Sequence, residues 1–243
     1  MLEGVLVRQV ICALDTGNLD EALRITRRMS KYVSSFKIGH ALTLPNGLEV
    51  VDRLKEAGAE RIFLDLKFHD IPNSVALAVR EAAKHGVWMM TLHITGGPAM
   101  MQAAVEEANL CSEERRPQLI GVSVLTSLDQ HTLTEHLGVT RDLEDHMIHL
   151  SRLAMDYELD GVVCSPHEVK AIRNAIGHNG IIVTPGIRPA GADTNDQVRT
   201  GDAATSIRSG ANYLVIGRAL IGSDDPEATL QSFGFAKSLA NLR

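Results

Sequence analysis

The chain has 243 residues, 44 % of them hydrophobic but only 4 % aromatic, with a formal net charge of −6 and an isoelectric point near 5.9. That length suits one domain, 1–243, whose core must be built from aliphatic side chains and methionine. The acidic balance argues against a nucleic-acid binder but not against a small anionic substrate, because a few cations focused in a cleft outweigh distant surface acids.

Cys12, Cys111 and Cys164 are odd in number, widely spaced and outside any CxxC pattern, as expected of reduced, inert thiols in a cytoplasmic protein. The segment 1–10 carries Glu3 and Arg8 and lacks the apolar run of a signal peptide. No stretch approaches the roughly 18 apolar residues that a membrane helix needs, so the expectation is a soluble protein without membrane or nucleic-acid partners.

In chain order, apolar runs predict strands at Val10–Asp15, Ser35–Gly39, Arg61–Lys67, Val87–Ile94, Gln118–Leu125, Gly161–Ser165, Gly180–Pro185 and Tyr213–Gly217. Nearly continuous runs such as IFL, VWMM and YLVIG suit parallel strands covered on both faces. Amphipathic segments lie between them. Gly47–Gly58 places Leu48, Val51 and Leu54 on one side with Gly58 as a stop, and Asn73–Gly86 follows Pro72, a favoured first-turn residue. The long stretch from Ser127 to Leu159 should hold a short helix before a main one. Met89, Met90, Met100 and Met101 read as core filler. Strand and helix alternating eight times predict an α/β fold, a (β/α)8 TIM barrel, with an open doubly wound sheet as the alternative.

Such barrels carry their sites at the C-terminal ends of the strands. Polar residues recur at that end of seven strands: Asp15, Lys37, Asp65 with Lys67, His93, Thr126, the Pro185–Arg188 run, and Gly217 with Arg218. Side chains two apart on a strand share a face, so Asp65 and Lys67 should point together, with Leu64 and Leu66 toward the helices. A lone buried ion is costly. An alternating array, Lys37–Asp65–Lys67–Asp70, would let each charge offset its neighbours. Loops after strands seven and eight often bind phosphate in barrels, and here they hold Gly186, Arg188, Gly217 and Arg218. The loop Arg188–Arg199 is small and polar and reads as a mobile lid. His146 with His149, and His131 with His136, lack zinc-like spacing to carboxylates and read as solvated helix residues. His93 reads as a structural hydrogen-bonding residue, and no metal site is expected.

Taken together, ALD at Ala13–Asp15, FKIG at Phe36–Gly39, DLKFHDIPNSV at Asp65–Val75, LHITGG at Leu92–Gly97, VLTS at Val124–Ser127, TPGIRP at Thr184–Pro189, NDQVR at Asn195–Arg199 and IGR at Ile216–Arg218 resemble the orotidine 5′-monophosphate decarboxylase family. The DxKxxD element is shared with metal-dependent sugar-phosphate decarboxylases and hexulose-phosphate synthases, but those relatives typically carry an acidic residue where Lys37 stands. The resemblance implies a ribulose-phosphate-binding type of barrel that removes CO2 from C6 of a pyrimidine nucleotide without a cofactor. It assigns Lys67 as proton donor to C6, Asp65 beside the departing carboxylate, and Lys37 and Asp70 as partners in the network. It assigns Asp15 and Lys37 to the ribose hydroxyls, Thr126 to the pyrimidine edge, and Pro185, Arg188, Gln197, Gly217 and Arg218 to substrate, phosphate or lid. It further implies a homodimer in which Asp70 and Ile71 reach the neighbouring subunit's site. A magnesium-dependent sugar-phosphate lyase or isomerase, and a non-catalytic phosphometabolite-binding barrel, remain as alternatives.

Overall fold

The computed structural model describes residues 7–187 and 201–235. Eight strands run parallel in chain order: β1 (Val10–Leu14), β2 (Ser35–Ile38), β3 (Arg61–Phe68), β4 (Met89–His93), β5 (Gln118–Val122), β6 (Gly161–Val163), β7 (Ile181–Thr184) and β8 (Tyr213–Ile216). The sheet closes where Val10, Ile11 and Cys12 pair with Leu214, Val215 and Ile216. That seam excludes the open doubly wound sheet.

Among the described residues the α-helices are α1 (Leu19–Met29), α2 (His40–Asn46), α3 (Glu49–Glu56), α4 (Pro72–Lys84), α5 (Pro98–Asn109), α6 (Leu143–Asp156), α7 (Val169–Ile176), α8 (Ala203–Arg208), α9 (Arg218–Ile221) and α10 (Pro226–Ser232). Their ends follow local chemistry. Asn18 caps α1 by accepting from the Glu21 amide at 3.0 Å, with Asp20 and Glu21 in the first turn and Arg27 and Arg28 in the last. Pro72 opens α4 as expected. Between β5 and β6 a five-residue π-helical turn, Thr132–His136, precedes α6, the expected short-then-main arrangement. Two expectations were too coarse. The helix predicted from Gly47 begins at Glu49, and α2 precedes it with Pro45 inside, a residue whose missing N–H ordinarily argues against a helix. Several strands end short of their apolar runs, β5 at Val122 rather than Leu125, because the chain leaves the ladder to form the upper loops.

The strands bury two apolar layers. Outward side chains such as Leu14, Phe36, Ile62, Leu64 and Met90 pack under the helices, and Met100 and Met101 join them from α5. Inward, Ile11, Ala13, Phe63, Met89, Ile120, Val183 and Val215 fill the barrel. All four methionines singled out in the sequence are fully buried. At the N-terminal mouth Trp88 meets Tyr213 edge-on at 5.1 Å, and the Arg61 guanidinium lies 4.2 Å over the Trp88 ring.

β6 and β7 approach closely at Gly161, where an added Cβ would overlap the Ile181 carbonyl oxygen. Backbone cannot swing aside as a flexible side chain can. Gly161→Ala should therefore cost about 1–3 kcal/mol of stability, the usual range for overpacking. An unchanged midpoint of urea unfolding would contradict this reading of the β6–β7 contact.

Candidate active site

A cavity of about 260 Å³ opens at the C-terminal mouth. Its polar rim comes from Asp15, Lys37, Asp65 and Lys67 on one side and Thr126, Pro185, Gly186, Gly217 and Arg218 on the other. Its floor is apolar, formed by Phe63, Val122, Val163, Val183 and Val215. Most of these floor residues stand two positions before a rim residue on the same strand, such as Phe63 before Asp65 and Val215 before Gly217. The period-two rule that located the rim could have located them as well.

The charges form a chain. Lys67 Nζ donates to Asp65 Oδ1 at 2.9 Å, Lys37 Nζ lies 3.5 Å from Asp65 Oδ2, and the same ammonium lies 3.4 Å from Asp15 Oδ1. Asp65 stands at the centre, its side chain 14 % exposed, as is that of Lys37. Burial is the largest single influence and pushes its carboxyl up. The ammonium groups of Lys37 and Lys67, with the hydrogen bonds from Lys67 and Thr91, together outweigh that and hold it below the usual carboxylate range. Asp65 is thus an anion clamped between two cations.

Lys67 reaches this position by a local distortion. The β3–β4 register runs from Leu64↔Met90 to Phe68↔Leu92, so Asp65, Leu66 and Lys67 together face Thr91 alone. Within this bulge Lys67 has a φ of 51°, rare for a residue with a side chain. Asp65 and Lys67 do share the cavity, as simple alternation suggested, but the backbone arrives there through a left-handed residue.

The array expected in the sequence is altered at one end. Within the chain it runs Asp15–Lys37–Asp65–Lys67. Asp70 is exposed, accepts from the Ile71 amide at 2.6 Å, and is not part of the cavity wall. Ile71 is 66 % exposed and likewise outside it. Both residues lie between β3 and α4, in the turn after Phe68. Arg188 and Gln197, and with them the proposed lid, lie outside the described residues.

At the opposite rim Gly186 has a φ of 81°, which glycine adopts without strain. Gly217 precedes α9 and stands so near Asp15 that a Cβ there would lie 3.3 Å from Oδ2, a tight contact that the carboxylate would have to yield to by a few tenths of an ångström. Cys12 lies just below, where burial and the Asp15 charge push its thiol up to about 12, in keeping with the inert role expected. Among the described residues no cluster of three or more His, Cys, Asp or Glu is arranged to hold a metal ion. The helical histidines need one correction: His149 is exposed, but His146 is partly buried, with its Nδ1 enclosed and without a hydrogen-bond partner. His93 is also half-buried, its ring 5.2 Å from that of His69.

Comparison with known proteins gives a consistent result. Residues 8–233 match the model of the Orotidine 5′-phosphate decarboxylase / HUMPS family. A protein of Moorella thermoacetica named orotidine 5′-phosphate decarboxylase is 43 % identical over 227 residues, covering 92 % of this chain and 90 % of the relative. The crystal structure of an orotidine 5′-phosphate decarboxylase from Lactobacillus acidophilus superposes with a TM-score of 0.79 at 31 % identity, covering 93 % of this chain and 97 % of that one. An uncharacterized conserved protein from Geobacillus kaustophilus superposes with a TM-score of 0.81 at 34 % identity, covering 93 % and 98 %.

The environment of His93 has a measurable consequence. Burial first, then the nearby His69 and Lys67, lower its pKa from 6.5, against a smaller opposing effect of Asp65. The unfolded chain therefore binds this proton more tightly, and stability falls as pH drops below about 6.5. His93→Gln should flatten the decline of Tm on acidification from about pH 6.5 toward 5 relative to the parent protein. Parallel declines in the two proteins would assign the acid sensitivity elsewhere.

Proposed function

The chain belongs to the Orotidine 5′-phosphate decarboxylase / HUMPS family, and from that membership we infer how its cavity works. The protein is a carboxy-lyase that converts orotidine 5′-monophosphate to UMP and CO2 in pyrimidine biosynthesis. The observation carrying the catalytic reading is the Lys67 ammonium, 2.9 Å from a buried Asp65 carboxylate that Lys37 also contacts.

Breaking the C6–carboxylate bond leaves an electron pair at C6 in the plane of the ring, where the π system cannot accept it. Stabilisation must come from fixed charge and positioning. The Lys67 ammonium supplies both the charge and the proton: as CO2 departs it attracts the developing carbanion and transfers a proton to C6, and solvent later restores the lysine. Asp65, held ionised, keeps Lys67 oriented and stands against the substrate carboxylate, whose repulsion is relieved as CO2 leaves. Asp15 and Lys37 hold the ribose hydroxyls and Thr126 the pyrimidine edge. Pro185, Gly217 and Arg218, with Arg188 and Gln197, receive the phosphate end. Phosphate contacts are remote from C6, so their binding energy serves to position the base and exclude water.

The chemistry needs no cofactor. Lys37 also disfavours the metal-dependent sugar-phosphate reading, because its ammonium lies between Asp15 and Asp65, where a divalent cation would otherwise draw its ligands. The enzyme acts as a single barrel domain in the cytoplasm, as a homodimer. Exposure of Asp70 and Ile71, outside the lining of their own cavity, supports their entering the partner's site.

Purified protein incubated with orotidine 5′-monophosphate in EDTA should consume the orotate chromophore, and failure to do so would overturn the assignment. Lys67→Ala should lower kcat by a factor on the order of 10³ or more, at the upper part of the range for a lost proton donor, while UMP still binds. Substantial residual turnover would remove Lys67 from that role. Arg218→Ala should lower kcat/KM about 10- to 100-fold, as for loss of a charge-assisted phosphate contact, mainly through KM. An unchanged kcat/KM would dismiss that contact.

A further inference from the structure

Thr91 is fully buried on β4, on the inward face one layer above Met89, and is not part of the cavity wall. Nothing in the sequence marks it, since a threonine in a strand is an ordinary β-former. Its hydroxyl is nonetheless the point on which the bulge closes. Thr91 Oγ1 accepts from the Lys67 amide at 2.9 Å and donates to Asp65 Oδ1 at 2.9 Å, and that same oxygen accepts from Lys67 Nζ at 2.9 Å. The four groups make a ring: Lys67 amide to Thr91 hydroxyl, hydroxyl to Asp65 carboxylate, carboxylate to the Lys67 ammonium.

We propose that Thr91 is a positioning residue for decarboxylation, fixing the left-handed backbone of Lys67 and the rotation of the Asp65 carboxylate so that the ammonium stands ready at C6. This rests on the reading of Lys67 and Asp65 given above.

Two arguments carry it. A non-glycine residue with positive φ persists only where its surroundings over-determine it. In the bulge the Lys67 amide has lost its place in the β3–β4 ladder, and the Thr91 hydroxyl is the acceptor that replaces it. A hydroxyl offers one donor and two acceptor lone pairs, so one atom can hold the amide and the carboxylate at once. With Thr91 and Lys67 both on Oδ1, Oδ2 is left toward Lys37. Rotation of the carboxylate would break all three contacts together. The hydrogen bond from Thr91 also helps hold the Asp65 carboxyl low.

Thr91→Val keeps the shape and removes the hydroxyl, whereas Thr91→Ser keeps the hydroxyl and removes a methyl. In the whole enzyme, Thr91→Val should lower kcat at least tenfold with UMP affinity, measured by calorimetry, changed less than threefold. Thr91→Ser should return kcat to within threefold of the parent. The acid limb of the kcat profile should move to higher pH in the valine variant only. Independently of turnover, the Lys67 amide should exchange its hydrogen at least tenfold faster in Thr91→Val than in the parent or Thr91→Ser. Parent-like kcat in Thr91→Val overturns the proposal while leaving the decarboxylase reading intact. So does an equal loss in both variants, a matching loss of UMP affinity, or unchanged exchange at Lys67. If the parent itself fails to turn over orotidine 5′-monophosphate, the decarboxylase reading falls, and with it the catalytic role given to Thr91.

Discussion

The site depends on keeping a buried carboxylate ionised. Asp65 sits at the mouth of a barrel whose next layer down is Phe63, Val183 and Val215, surroundings that by themselves favour a neutral acid. Two ammonium groups reverse that preference, one at 2.9 Å and one at 3.5 Å. Each ion is tolerable only because of the others: removing either lysine leaves the carboxylate under-compensated, and removing Asp65 sets two cations side by side. This mutual need gives a cofactor-free enzyme a fixed electrostatic field without a metal to supply it.

The fold delivers these groups by unequal means. Lys37 arrives by plain strand geometry, paired directly with Phe63 on the neighbouring strand and facing inward. Lys67 requires a bulge, a positive φ and a hydroxyl from the neighbouring strand. Strained backbone of this kind costs of order 1–3 kcal/mol, and of the two non-glycine residues with positive φ among the described residues, Lys67 and Glu158, one is the residue given the proton transfer. The plug of Arg61, Trp88 and Tyr213 at the far mouth is conventional packing by comparison, and it leaves the polar end to be shaped by loops.

Much of this was readable in the sequence because parallel strands buried on both faces announce themselves as apolar runs, and a charge inside such a run is conspicuous. Asp65 and Lys67 stood out for that reason, as did Gly217 before Arg218. Other features follow from relations that a linear reading does not contain. The bulge at Lys67 has no local mark, since lysine has no preference for positive φ. Thr91 matters only through its neighbour across β3–β4. Asp70 shares the DxKxxD spacing with Asp65 and Lys67, yet in its own chain it lies in the turn after Phe68, exposed and outside the cavity lining. His146 was read as solvated from its place on a helix, but its face is turned partly inward. Pro45 lies within a short helix where propensity alone would have placed none.

The seam between β1 and β8 has a consequence for synthesis. Val10 finds its partner in Leu214, and Gln9 reaches the carbonyl of Asn212, so β1 awaits a strand 203 residues further along the chain. Until those late residues leave the ribosome, β1 presents one unpaired backbone edge, the kind of surface on which nascent chains stick to one another. The circle can be completed only after β8 has been made, and this long-range contact makes its closure intrinsically slow. A barrel with no edge once folded must pass through an extended period of having one.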